Sequence, residues 1–214
     1  MVSAGLGNPS ASRLLADRLA VAVMDRLTVE DPAGGPADPV ELDIIELREL
    51  AHPLADNLLT GFPTGQLAAA IDAVAAADVL IVVSPVFSAS FSGLFKMFFD
   101  VLEPDLLRGK PVLLAATAGT ARHSLVLEHA LRPMFGYLGA VTVPTAVFAA
   151  TEDWGSAGAA ESGLQQRIKL AAGDLVAALG NGRPRAERPT PRWGSDAGFG
   201  APTEFSELLR RVGS

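Results

Sequence analysis

The sequence predicts an α/β protein in which helices cover both faces of a parallel sheet. Three observations carry this expectation. Apolar runs and helical patterns alternate along most of the 214 residues. The runs are mostly continuous rather than strictly alternating, as suits strands buried on both faces. Repeated strand–helix units joined by right-handed crossovers then wind into a doubly wound sheet.

Taken in order, the first strand is the shortest piece. Only Met1 and Val2 precede the Ser3–Asn8 loop. In the strand order 2-1-3-4-5 this strand lies inside the sheet. Two or three residues there would leave neighbouring backbone groups poorly paired. The expectation is a natural start a few residues upstream of Met1, which the intact mass of the native protein would check. The helix Ser12–Leu27 follows, with Leu14, Leu15, Leu19 and Val23 near one stripe. Val40–Leu47 alternates in part and reads as the second strand. Gln66–Ala77 is an Ala-rich helix, and Asp78–Ser84 a strand apolar on both faces. Ser92–Leu102 is a helix whose Phe98 and Phe99 read as core. Lys110–Thr117 and Ala140–Phe148 are the last two strands, separated by a long amphipathic helix over Ala121–Leu138. Gly158–Leu179 is the final helix. Residues 1–180 thus form one three-layer α/β/α domain around a five-stranded sheet. Beyond it, Arg183–Pro202 is rich in Pro, Gly and Arg and reads as an extended arm. Thr203–Val212 resembles a short amphipathic helix with Phe205, Leu208 and Leu209. The segment 181–214 packs on its own subunit or on a partner subunit.

Composition removes several classes of function. The net charge of -7 argues against nucleic acid and against an acidic membrane face as partners. There are no cysteines, so disulfides, cysteine-ligated metals and cysteine nucleophiles are excluded. The three histidines, His52, His123 and His129, offer little for a metal site. No charged-then-apolar leader is present, and no apolar run approaches the ~20 residues that span a bilayer. A cytoplasmic protein is expected.

Ligands of open α/β sheets bind beyond the C-terminal ends of the strands. Three loops hold that position. Ser3-Ala4-Gly5-Leu6-Gly7-Asn8-Pro9-Ser10-Ala11-Ser12-Arg13 enters the first helix. Its small residues let backbone amides approach an anion. Ser10 and Ser12 add hydroxyls, Arg13 adds charge, and the helix N-terminus adds its free amides. This suits a phosphate monoester; a Ser-capped helix after a Gly turn is the bland alternative. Neither a P-loop nor a Gly-x-Gly-x-x-Gly spacing is present. The second loop, Ser84-Pro85-Val86-Phe87-Ser88-Ala89-Ser90-Phe91-Ser92-Gly93, offers an aromatic edge at Phe87 and donors at Ser88 and Ser90. A flat, partly polar ring needs that mixture. The third, Ala116-Thr117-Ala118-Gly119-Thr120-Ala121-Arg122-His123-Ser124, could set amides against negative charge on a ring edge. His123 lies near that ring or caps its helix; His129 reads as structural.

These residues carry a resemblance. Pro85–Lys96 is similar to the flavin-loop signature of NAD(P)H-dependent FMN reductases. Gly119–Leu125, followed by Leu131-Arg132-Pro133, resembles the subgroup that partners luciferase-like flavin monooxygenases. The match covers roughly residues 1–180. It implies a flavodoxin-like subunit, dimeric or tetrameric, with FMN and NADPH or NADH as cofactors. FMN phosphate would lie near Ser10, Ser12 and Arg13, with Ser3 standing in for a family contact that Gly5-Leu6-Gly7 lacks. The isoalloxazine would lie between Pro85, Val86, Phe87, Ser88, Ala89 and Ser90 on one side and Thr117, Ala118, Gly119 and Thr120 on the other. No side-chain acid, base or nucleophile is implied, because the cofactor carries the chemistry. Two alternatives stay open on sequence alone. One is a quinone or azo reductase holding FMN as a prosthetic group; the other is a flavodoxin-like electron carrier.

Overall fold

The computed structural model describes residues 1–29, 40–154 and 163–180. The expected arm 181–214, and the start of the expected last helix before Gly163, lie outside these residues. Seven strand segments form one sheet: β1 (Val2–Ser3), β2 (Ile45–Glu46), β3 (Leu80–Phe87), β4 (Ser90–Phe91), β5 (Pro111–Ala118), β6 (Val141–Thr142) and β7 (Val147–Ala150). The helices are α1 (Ala11–Val29), α2 (Ala51–Thr60), α3 (Gly65–Ala76), α4 (Gly93–Asp100), α5 (Arg132–Tyr137) and α6 (Gly163–Gly180).

The sheet runs β2-β1-β3-β5, and β6 and β7 share the next position beside β5. All of these pairings are parallel. Counted by position, this is the five-strand order 2-1-3-4-5 of a flavodoxin-like fold. Side chains alternate between two cores. Leu80, Val82, Val112, Leu114 and Ala116 face α2, α3, α4 and α5. Ile81, Val83, Leu113, Ala115, Val147 and Ala149 face α1 and α6. A strand apolar on both faces, as β3 and β5 are, needs both layers.

β1 is as short as the sequence suggests, yet it pairs on both sides. Val2 lies opposite Ile45 and Val82, and Ser3 opposite Glu46 and Val83. The ladder continues past its end, where the Ala4 amide donates to the Val83 carbonyl at 2.9 Å.

Four expectations need correction. The loop after the third strand is a tight hairpin: β4 turns back antiparallel on the end of β3, with Val86 opposite Phe91 and Phe87 opposite Ser90. Val40–Leu47 contributes only Ile45–Glu46 to the sheet, because Val40, Leu42 and Ile44 face solvent. The fifth strand is split. Its register against β5 slips by two residues between the Val112–Thr142 and Ala115–Val147 pairs, around Pro144, which has no N–H for a ladder. The expected helix 121–138 is broken into a 3-10 turn (Ala121–His123), a π turn (Leu127–Leu131) and α5. Pro133 explains the π turn. It has no N–H for the His129 carbonyl, and its ring presses on that carbonyl. The chain widens, and the Arg132 amide reaches Leu127 instead.

Candidate functional site

Parallel pairing brings the C-terminal ends of β1, β3 and β5 to one edge of the sheet. Ser3 lies beside Val83, and Pro85 beside Thr117. The three loops singled out in the sequence therefore meet.

The first loop leads into α1. Ser10 is the helix cap: its carbonyl accepts from the Leu14 amide at 3.0 Å and its Oγ from the Arg13 amide at 3.3 Å. Gly5 is packed against this cap. A Cβ added to Gly5 would stand 1.9 Å from Ser10 Oγ and 3.2 Å from Ser12 Cβ. Ser12 is buried, and its Oγ lies 2.8 Å from the buried Thr117 Oγ1. Two hydroxyls hold two hydrogens and spend one between them, so one O–H of this pair remains unspent. Ser3 is 2% exposed and its hydroxyl has no hydrogen-bond partner among the described residues. A buried hydroxyl left unpaired costs about 1–3 kcal/mol, so Ser3 is suited to a ligand that accepts from it.

Arg13 does not face this cradle freely. Its Nε donates to Asp17 at 2.8 Å, and a terminal nitrogen donates to Glu46. Asp17 first and Glu46 second hold its guanidinium firmly protonated, above its ordinary value. Two further residues border the loop that sequence reasoning missed. Glu46 sits at the end of β2, and Arg48 follows it in a 3-10 turn (Leu47–Leu50). Arg48 donates to the Gly7 carbonyl at 3.1 Å and pairs with Glu46 at 2.7 Å. The strand order supplies the signal that could have found them: residues ending strand 2 must adjoin the loop ending strand 1.

At the second loop the chain leaves the sheet as the β3–β4 hairpin. Its two turn residues, Ser88 and Ala89, have φ of 50° and 64°. Two positive φ values in a two-residue hairpin define a type I′ turn, which favours Asn and Gly. Phe87 stands at the base of the turn, 45% exposed. Pro85, Val86 and Ser90 are half-buried. Behind them the hairpin is pinned. Ser84 Oγ accepts from the Ser92 amide at 3.0 Å, and Ser92 Oγ caps α4 by accepting from the Phe95 amide at 3.1 Å. Phe98 and Phe99 are core, as read from the sequence, in one aromatic cluster with Phe95 and Phe135.

In the third loop Ala118 is half-buried, while Gly119 and Thr120 are exposed. Thr120 Oγ1 accepts from the Arg122 amide at 3.4 Å and caps the short turn. A Cβ at Gly119 would meet nothing within 4 Å, so the space beyond this loop is open. Thr117 is turned inward to Ser12. His123 and His129 are both exposed.

The arrangement has two halves. One is a small cradle of hydroxyls and helix-terminal amides, suited to a phosphate monoester. The other is an open edge with an aromatic ring, small residues and free backbone, suited to a flat heterocycle. An α/β fold with these halves side by side defines a flavin-binding protein of the flavodoxin-like class.

Comparison with known proteins narrows the class. Residues 1–155 match the family model described as NADPH-dependent FMN reductase. The chain belongs to that family and is an NAD(P)H-dependent FMN reductase. It is 41% identical over 149 residues to the FMN reductase (NADPH) of Pseudomonas aeruginosa, covering 70% of this chain and 80% of that one. It is 35% identical over 179 residues to the NADH-dependent FMN reductase SfnE of Pseudomonas putida, covering 84% and 90%. Among solved structures, an oxidoreductase from Corynebacterium diphtheriae superposes with a TM-score of 0.76 at 43% identity, covering 85% of this chain and 96% of that one.

Proposed function

We propose that this reductase takes FMN as a dissociable substrate and passes the reduced flavin to a flavin-dependent monooxygenase. The observation that carries this reading is the junction of the two half-sites. The Ser12–Thr117 bond clamps the phosphate-type cradle to the strand that ends in the ring-type edge. The cradle holds the phosphate with the Ser3 hydroxyl, the unspent O–H of the Ser12–Thr117 pair, Ser10, and the free amides of the first turn of α1. The isoalloxazine lies between the hairpin residues Pro85–Ser90 and the loop Ala118–Thr120. Thr117 acts through Ser12.

Bound FMN supplies the ring that accepts hydride from NADPH or NADH; the protein binds and orients the reactants. Amides of the exposed residues Gly119 and Thr120 would stabilise negative charge on a ring edge. The surface exposure of Phe87, Ser88, Ala89, Gly119 and Thr120 supports a flavin that comes and goes. The monooxygenase partner rests on the resemblance of Gly119–Leu125 and Leu131-Arg132-Pro133. A homodimer or homotetramer is supported by Leu58, Leu59 and Phe62, large apolar side chains exposed around the α2–α3 turn. Among the described residues no helix is long and apolar enough to cross a membrane, which is compatible with work in the cytoplasm.

The test is anaerobic oxidation of NADPH or NADH, followed at 340 nm with catalytic protein and excess free FMN. Bleaching of FMN over many turnovers is the expected result. Oxidation limited to one equivalent of bound flavin would instead make FMN a prosthetic group and direct attention to other acceptors.

A further inference from the structure

Arginine grips phosphate through parallel N–H groups, and a free guanidinium fork beside a phosphate site strengthens binding strongly. Two arginines flank the loop at residues 4–10, and both are already engaged. Arg13 is divided between Asp17 and Glu46. Arg48 is divided between the Gly7 carbonyl and Glu46. Glu46 is the group common to both, and its side chain is only 17% exposed. Its backbone lies opposite Ser3 in the β1–β2 register, and its carboxylate reaches Arg13 in the first turn of α1 and Arg48, which holds the Gly7 carbonyl. The carboxylate therefore has two effects on an incoming phosphate. It draws both guanidinium groups toward itself, and it places a negative charge beside the cradle, partly screened from water.

We infer that Glu46 is an affinity-setting residue: it weakens the hold on the flavin phosphate and so keeps FMN a substrate that leaves. The inference rests on the placement of the FMN phosphate at residues 3–13 proposed above. In this arrangement Arg48 is a positioning residue, fixing the Gly7 carbonyl while Glu46 holds its other nitrogen. A neutral amide at position 46 still accepts one hydrogen bond, so the loop keeps its support. It releases the second guanidinium and removes the charge.

The experiment compares dissociation constants for FMN and riboflavin, measured by flavin fluorescence at low ionic strength without nicotinamide. Riboflavin lacks the phosphate, so it reports the ring half of the site alone. For Glu46→Gln the expected result is FMN binding about three- to tenfold tighter, with riboflavin unchanged. Equal tightening of both flavins, no change, or weaker FMN binding would overturn the inference. Should Glu46→Gln not fold, Glu46→Ala removes the same carboxylate, and FMN binding again about three- to tenfold tighter with riboflavin unchanged is expected; an unchanged ratio there overturns the inference equally. The wild-type protein separates the two levels. If it binds FMN no better than riboflavin, the phosphate placement itself fails. If it prefers FMN but Glu46→Gln leaves that preference unaltered, only the role of Glu46 fails.

Discussion

Ser12 and Thr117 look like separate contacts in the sequence, one for a phosphate and one for a ring. In the structure they share one hydrogen bond at 2.8 Å in a buried position, and one O–H is left over. Thr117→Val keeps the shape and removes the partner. It is expected to cost about 1 kcal/mol in urea unfolding and to weaken FMN more than riboflavin, with Thr117→Ser restoring both. The presence of hydroxyls at these positions was legible from local composition. Their mutual pairing was not, because it depends on how far β5 extends beneath the first turn of α1. Arg13 shows the same limit. Its charge is evident in the sequence, but Asp17 one helical turn away and Glu46 across the sheet decide where that charge is spent.

At the scale of elements, the long buried strands were the clearest features, since β3 and β5 are apolar on both faces. The hairpin after β3 was hidden. Ser88-Ala89 lacks the Asn-Gly signature of its turn, and an alanine with φ of 64° is out of its ordinary range. Ala89→Gly should raise stability by about 0.5–1 kcal/mol, measured by denaturant unfolding. The broken helix 121–138 was hidden for a different reason: its amphipathic pattern is real, and Pro133 interrupts the backbone without interrupting the pattern. What fixes its far end is Arg132, which donates to Thr142 Oγ1 at 2.9 Å and pairs with Glu128 at 2.7 Å. The Arg132 hydrogen bond holds the Glu128 carboxyl below its ordinary value of 4.5. A depressed carboxyl stabilises the fold fully above its unfolded value, and that contribution is lost as pH falls through the lower folded value. The Glu128 side chain is half exposed, so the effect is less than about 1 kcal/mol. Thermal unfolding of the wild type and Glu128→Gln should differ at pH 6 and converge toward pH 3.

For the whole molecule, two cores on opposite faces of one sheet hold the site edge in place. The aromatic cluster of Phe95, Phe98, Phe99 and Phe135 lies under the hairpin and the α4 cap. Phe99→Ala should cost about 3–5 kcal/mol in unfolding free energy, enough to loosen the ring half of the site as well. The layered architecture was readable from alternation alone. The division of the last strand into β6 and β7 was not, because a two-residue slip leaves the apolar run intact. The cradle has one further property, which concerns synthesis. Its walls come from residues 3–12, yet the bond that latches them reaches 105 positions along the chain. A nascent polypeptide leaving the ribosome therefore carries both hydroxyl walls early and cannot close them until β5 has emerged and docked. Flavin is expected to be a late arrival that recognises a nearly finished domain, and it cannot serve as a template for the first helix.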